Sequence, residues 1–273
     1  VVSSRADRVT ARADRLARRP AVRQLWRVGG SLAAVGILGF GTLQSVTRIA
    51  HEEETIVTEL DGSSVRSVSI RNGAGSIHLV GTDSDTVTVR AEVSHGLRST
   101  GHTERIEGDQ LVLRASCPVF GSDFCEVVYR VEVPRDVAVE LRSDSRITVR
   151  DIAGSVDASS DNGRVQATRI DGNVRLESDN GRVVGRSLAS PVAIVDSDNG
   201  RVELSFAEPP GSVSATSDNG SVEVVVPDTR DTYVISVSSD NGTASGTDVR
   251  TDPDSTQTIT ADSDNGDVTV RYP

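Results

Sequence analysis

Four residues, Ser-Asp-Asn-Gly, recur six times in the second half of this 273-residue chain. They stand at 160–163, 178–181, 197–200, 217–220, 239–242 and 263–266, at spacings of 18, 19, 20, 22 and 24. Each copy offers one carboxylate, so Asp161, Asp179, Asp198, Asp218, Asp240 and Asp264 are the first candidates for chemistry. A column of carboxylates suggests divalent cations. The known nine-residue calcium repeat, GGxGxD, sets two glycines before its Asp, whereas here a single Gly follows it. The order fails, so no cofactor is expected, and loose association of a divalent cation with the Asp column is the weaker alternative. The reading favoured is a structural turn: Asn162, Asn180, Asn199, Asn219, Asn241 and Asn265 take the corner, because Asn tolerates left-handed backbone. Gly163, Gly181, Gly200, Gly220, Gly242 and Gly266 then supply positive φ. The Asp points outward and accepts from a nearby backbone N–H, while Arg164, Arg182 and Arg201 lie across the column and partly neutralise it.

Other chemistry finds little footing. There is no G-x-S-x-G, no H-E-x-x-H and no phosphate loop. His51, His78, His95 and His102 show no ligand pairing at i, i+4. The Asp residues form a series rather than an isolated pair in separated environments. No catalytic residue and no metal site is expected. Cys117 and Cys125, in CPVFGSDFC, are expected to form a disulfide.

The elements that carry the turns come next. Gly154, Gly163, Gly172 and Gly181 are nine apart, and each opens G-x-V-x-(small or aliphatic): GSVDA, GRVQA, GNVRL, GRVVG. The series runs on through GRVEL, GSVSA, GSVEV, GTASG and GDVTV. Period two marks a strand with one buried face. With aromatics at only 3%, the core must be Val, Ile, Leu and Ala, which suits strands. An antiparallel meander would use Asn-Gly as hairpin turns. A parallel β-solenoid would wind two strands per coil, so that each SDNG lies about 4.8 Å from the last and identical side chains ladder. Only the solenoid gives identical turns a reason to be identical, and a fixed period near 20 is its mark. The expected fold is therefore all-β, a parallel β-solenoid of about 18–24-residue coils, about 11 in number. Residues 61–115 carry looser strands, SDSR at 143–146 is a degenerate coil, and an insert near 115–127 holds Phe120 and Phe124, expected to cap. The closing VTVRYP would put Pro273 on a terminal edge and blunt it.

Charge divides the chain. Residues 1–50 carry nine arginines and two aspartates; the remainder carries twenty arginines and thirty-eight acids. Between Arg27 and Arg48 lie 20 uncharged residues, VGGSLAAVGILGFGTLQSVT, about the length that spans a bilayer core. The arginine-rich flank puts residues 1–27 inside and 51–273 outside. The expected organisation is a basic cytoplasmic tail with a short helix (1–27), a transmembrane signal anchor (28–48), a juxtamembrane linker (49–60) and an extracytoplasmic solenoid (61–273). A cleaved signal peptide and a buried soluble helix are the other readings of 28–47.

The opening IRNGAGSIHLVG, the CP…C…YRVEVP segment at 117–134 and the SDNG-x-V turns resemble a bacterial adhesin-like family of unknown function, over residues from about 60 to 273. Membrane-tethered members in high-GC Gram-positive bacteria look similar. That resemblance also implies a β-solenoid. The expected function is a non-enzymatic, membrane-anchored envelope protein, an adhesin-like surface or scaffold. Its partners would be the membrane and a cell-wall glycan or envelope protein, with no nucleic acid. The alternative is a sensor of envelope stress or cationic peptides that signals through the basic tail.

Overall fold

The computed structural model describes residues 52–73, 75–95, 101–117, 125–246 and 248–273. The expected tail and anchor lie outside these, as do residues 49–51 of the expected linker, Phe120 and Phe124; residues 52–60, expected as linker, are strand. Among the described residues no helix is long and apolar enough to cross a membrane. Residues 51–273 form one compact unit.

The chain enters along β1 (Glu52–Asp61), and a single 3-10 turn at Gly62–Ser64 leads into a first coil, β2 (Ser67–Gly73) with β3 (Ile77–Thr82). Two strands follow, β4 (Thr86–His95) and β5 (Gly101–Glu107). The next four coils are β6 (Gln110–Ser116) with β7 (Glu126–Pro134), β8 (Ala138–Ser143) with β9 (Ile147–Ile152), β10 (Val156–Ser160) with β11 (Val165–Ile170), and β12 (Val174–Ser178) with β13 (Val183–Leu188). The last four are β14 (Val192–Ser197) with β15 (Val202–Phe206), β16 (Ser212–Ser217) with β17 (Val222–Val225), β18 (Val234–Ser239) with β19 (Ala244–Ser245), and β20 (Thr258–Ser263) with β21 (Val268–Arg271). The coils number nine, not the eleven expected, because the first part of the body is spent on the antiparallel strands β1, β4 and β5.

Within each coil one strand belongs to an 11-stranded sheet and the other to a 10-stranded sheet. Coil-to-coil pairing is parallel throughout; only β1–β4, β4–β7 and β5–β6 are antiparallel. Register follows the G-x-V frame. In one sheet Ile147, Val165, Val183, Val202, Val222 and Val268 stack. In the other, Val139, Val156, Val174, Ala193, Val213, Ile259 and Ile235 stack. Alternation buries these columns, and because they are small and β-branched the two sheets close on one another without aromatics. Tyr129 and Tyr233 are the largest wholly buried side chains.

The coils do not stack in chain order. The first coil, β2/β3, lies between β6/β7 and β8/β9. The last, β20/β21, lies between β16/β17 and β18/β19. Each chain end of the body is therefore overlaid by a coil from further along or further back. This corrects the expectation for VTVRYP: β21 is an interior strand, and Pro273 guards no edge. The edges at that end are β18 and β19.

One corner of the stack is strained. Asp151, Arg169 and Ser187 take φ of 61°, 54° and 50°, and they are the non-glycine residues with positive φ among those described. Each is an extra residue at the end of a strand that turns Ile152, Ile170 and Leu188 back into the core. Arg169 bridges to Asp151 in a bidentate pair at 2.7 and 2.8 Å.

Candidate functional site: the turn ladder

All six SDNG turns fall on one corner of the stack, in the spatial order 160–163, 178–181, 197–200, 217–220, 263–266 and 239–242. Three of the four residue types are consumed in joining coil to coil.

Serine does so from inside. Ser160, Ser178, Ser197, Ser217 and Ser263 are at most 3% exposed. Ser178 Oγ donates to Gly163 O at 2.9 Å and accepts from Gly181 N–H at 2.9 Å. Ser197, Ser217, Ser263 and Ser239 donate likewise to Gly181, Gly200, Gly220 and Gly266. The degenerate coil takes part: Ser160 Oγ reaches Ser145 O, and Ser143 Oγ reaches Gly75 O. Asn72 holds the same register position one coil earlier, buried and bonded to Val127 O and Ser76 O. Reading the sequence by the SDNG tetrad alone misses this extension; the signal was a polar residue closing each inward-facing Val/Ile/Leu alternation.

Asparagine does so from outside. Five amide-to-amide bonds run from Asn180 to Asn162 (3.3 Å), Asn199 to Asn180 (3.1 Å), Asn219 to Asn199, Asn265 to Asn219 and Asn241 to Asn265 (each 3.0 Å). Each donating amide also reaches the preceding Asp carbonyl, at 3.1 to 3.3 Å. None of the six asparagines has positive φ, so the corner expected of them is not left-handed; their side chains are fixed by the neighbouring coil.

Glycine is required for a reason other than the one expected. No SDNG glycine has φ in the left-handed range. A Cβ on Gly181 or Gly200 would instead stand 2.0 Å from the carbonyl oxygen of the glycine one coil below. Backbone approaches backbone too closely at this corner for any side chain.

Aspartate alone has no structural task for its side chain. Asp161, Asp179, Asp198, Asp218, Asp264 and Asp240 are exposed, and among the described residues their carboxylates accept no hydrogen bond and form no ion pair. The backbone bond expected of them is absent. Two of the three expected neutralisers turn elsewhere: Arg182 and Arg201 both approach Glu203, at 3.8 and 3.7 Å. Near the last turn Asp267, not a ladder aspartate, is engaged, and the Thr243 hydroxyl and N–H lower its pKa.

Cys117 and Cys125 form a disulfide with Cα atoms 5.8 Å apart. Among the described residues no group of three or more His, Cys, Asp or Glu side chains is placed to hold a metal ion. One buried titratable cluster went unnoticed in the sequence: His102 Nδ1 lies 2.9 Å from the Tyr129 hydroxyl, Glu104 Oε1 is buried without a partner, and its Oε2 accepts from Thr58. Burial, then the Glu104 charge, push the Tyr129 phenol well above its usual range. These side chains lie at the β1/β5 end of the core.

No family model and no curated protein matches the sequence. Three crystal structures are similar over 81% of this chain. One is of a "putative cell adhesion protein" from Clostridium sporogenes, 8% identical, with a TM-score of 0.40 over 100% of its chain. Another is of a "putative adhesin" from Bacteroides fragilis, 12% identical, with a TM-score of 0.46 over 97% of its chain. The third is of a "putative adhesin" from Parabacteroides distasonis, 10% identical, with a TM-score of 0.36 over 94% of its chain.

Proposed function

We propose that this chain is a non-enzymatic recognition surface of the cell envelope, adhesin-like in role, held at the membrane by residues 28–48 with the solenoid outside. One observation carries the reading. Ser, Asn and Gly of each turn are committed to the stack, whereas the Asp side chain is the same in all six turns and joins nothing. A residue repeated without a structural task is available for contact. The array is ordered, because the four inner rungs are tied to the turns on both sides, and ordered rungs lower the entropic cost of binding an extended partner. Its partner would be a cell-wall glycan or an envelope protein. The Cys117–Cys125 disulfide is at home in the oxidising compartment this topology requires.

The same free carboxylates support a second reading, a sensor of cationic peptides. Salt separates the two, since exposed charge pairs are screened over about 8 Å at physiological ionic strength. The test is co-sedimentation of the protein with envelope fragments of its source organism at low and high salt, with and without EDTA. Binding that survives high salt supports specific surface recognition. Binding to cationic peptides that collapses with salt supports the sensor. Loss with EDTA would instead bring a divalent cation into the Asp column, and absence of binding throughout would sink the adhesin-like reading. Membrane tethering is tested separately, by whether the protein stays with membranes after alkaline extraction.

A further inference from the structure

The chain holds seven Asn-Gly pairs, at Asn72, Asn162, Asn180, Asn199, Asn219, Asn241 and Asn265. Asn-Gly is the pair most open to self-attack, because glycine leaves its own amide nitrogen unhindered. In six of the seven the structure closes that route. Asn72 donates from Nδ2 to Ser76 O and Val127 O. Asn180, Asn199, Asn219, Asn265 and Asn241 each donate from Nδ2 to an Asp carbonyl and to an Asn Oδ1 of the neighbouring coil. Moving any of these amides costs two hydrogen bonds.

Asn162 is the exception. It begins the ladder, and the coil beneath it turns through Ser143-Asp144-Ser145, one residue shorter and with no amide at that rung. Its Nδ2 donates to nothing among the described residues, and the side chain is exposed. Its single bond is the one its Oδ1 accepts from Asn180 at 3.3 Å, the longest amide-to-amide bond of the ladder. That bond draws electrons from the side-chain carbonyl and so favours addition at Cγ.

We propose that Asn162–Gly163 is a site of spontaneous deamidation, the rung of the ladder whose side-chain amide the fold leaves unheld; its Gly163 N–H is bonded to the Ser160 hydroxyl at 2.9 Å, as Gly181 N–H is to Ser178, so the nucleophile does not distinguish the two rungs and the amide does. The Gly163 backbone nitrogen gives up its bond to the Ser160 hydroxyl, attacks Asn162 Cγ and loses its proton. A new N–Cγ bond closes a five-membered imide, and Nδ2 departs as ammonia after taking up a proton. Water then adds to either imide carbonyl, and the ring opens to an α-linked aspartate or to its β-linked isomer. No oxidant or further reactant enters.

The first rung is also where the α-linked product does least harm. Asn180 needs only an acceptor opposite it, and a carboxylate supplies one. At an inner rung such as Asn199 the same conversion would face a carboxylate with Asp179 O and Asn180 Oδ1, acceptor against acceptor. The conversion at Asn162 would lengthen the row of exposed carboxylates while sparing the stack.

The test is peptide mapping by mass spectrometry of the folded full-length protein, held at mildly alkaline pH and body temperature. Asn162 is expected to convert about tenfold or more faster than each of the other six, the factor that one or two lost hydrogen bonds per protected rung implies. Unfolded in urea, all seven should convert at similar rates. Folded protein in which Asn162 converts no faster than the rest overturns the proposal, as does an inner rung that converts first. A second readout is thermal unfolding of Asn162→Asp beside Asn199→Asp. The former is expected to leave the midpoint in place and the latter to lower it; equal losses would show that the rungs are not distinguished.

Discussion

Replacing Ser178 by alanine should destabilise this protein more than replacing Asn180 by alanine, although Asn180 makes more hydrogen bonds. Asn180 donates two and accepts one. It is exposed, so each group it abandons recovers a bond with water, and exchanges of that kind leave a net loss of about 1 kcal/mol in all. Ser178 makes two, to Gly163 O and from Gly181 N–H, and is 3% exposed. Alanine leaves the buried Gly181 N–H with no acceptor, and it takes from Gly163 O a donor that the flank of the next coil does not replace. An orphaned buried group costs about 1–3 kcal/mol, and that is the loss expected from the Gly181 N–H, with Gly163 O, which is partly accessible, adding less. The assay is urea unfolding followed by far-UV circular dichroism, with an unchanged denaturant slope as the condition for comparison. Because stacked coils can open locally, exchange of the Gly181 amide should be followed in parallel and should accelerate only in Ser178→Ala. If Asn180→Ala costs as much as Ser178→Ala or more, the outer amide ladder and not the inner hydroxyl ladder holds the corner, and the assignment of roles is wrong.

Gly200→Ala should prevent stable folding of the stack, since its Cβ would meet Gly181 O at 2.0 Å and that oxygen is backbone, with no side-chain torsion to move it aside; soluble yield and the unfolding midpoint report it, and a fall of only a degree or two would refute the close approach. Ser187→Gly should stabilise by roughly 0.5–1 kcal/mol, the relief of a left-handed non-glycine residue less the added entropy of glycine when unfolded, read as a raised melting temperature. Tyr233→Phe should be neutral or stabilising, because the Tyr233 hydroxyl is buried without a partner. Burial, then the charges of Asp231 and Tyr272, push that phenol up to about 12. Its folded pKa lies above the unfolded value of about 10, so its contribution is intact below pH 10 and is lost as pH rises toward 12; Tyr233→Phe should flatten that part of the stability–pH profile.

What could be read from the sequence was whatever repeats with the period of a coil. Alternation fixed the buried face, the nine-residue half-period gave two strands per coil, and identical turns implied that they touch. What escaped had no periodic signature. The exchange of coil order at both ends leaves local spacing unaltered, since β20 and β18 present the same alternation to β16 and only side-chain fit selects between them. The strained corner recurs every 18 residues at Asp151, Arg169 and Ser187 but in three residue types, because what is required there is an extra backbone residue. The SDNG glycines were legible as necessary but not for their true reason: intolerance of a Cβ is the same on paper whether it arises from φ or from a neighbouring carbonyl. Arg182 and Arg201 were expected to lie across the Asp column, whereas the strand puts Glu203 on their face.

The two ends of the stack manage their open edges differently. At one end the edges are β1 and β5, antiparallel additions rich in charge, with Glu53, Glu54, Glu59 and Asp61 on β1 and Glu104, Arg105 and Glu107 on β5. Charge of that density on an edge discourages pairing with another chain. At the other end the outer strand β18 reads VISVSS, without charge or proline, and Ile235 and Val237 are only partly buried. Such a strand invites addition, and it is obstructed from within. Val234 N–H bonds inward to Gln257 O, so the backbone groups of Tyr233 face the outer edge, where its N–H reaches Arg250 O and its C=O accepts from Asp252 N–H, each at 3.1 Å. Arg250 is itself fastened, to Asp228 at 2.8 Å and over the Tyr272 ring at 5.5 Å. An antiparallel copy centred on Ser236 would have to place its Ser239 opposite Tyr233, where residues 250–252 already lie. The coil exchange makes this possible: because β20/β21 doubles back beneath β18/β19, the connecting segment passes around the open end, and in passing it occupies the edge at Tyr233, where β18 begins.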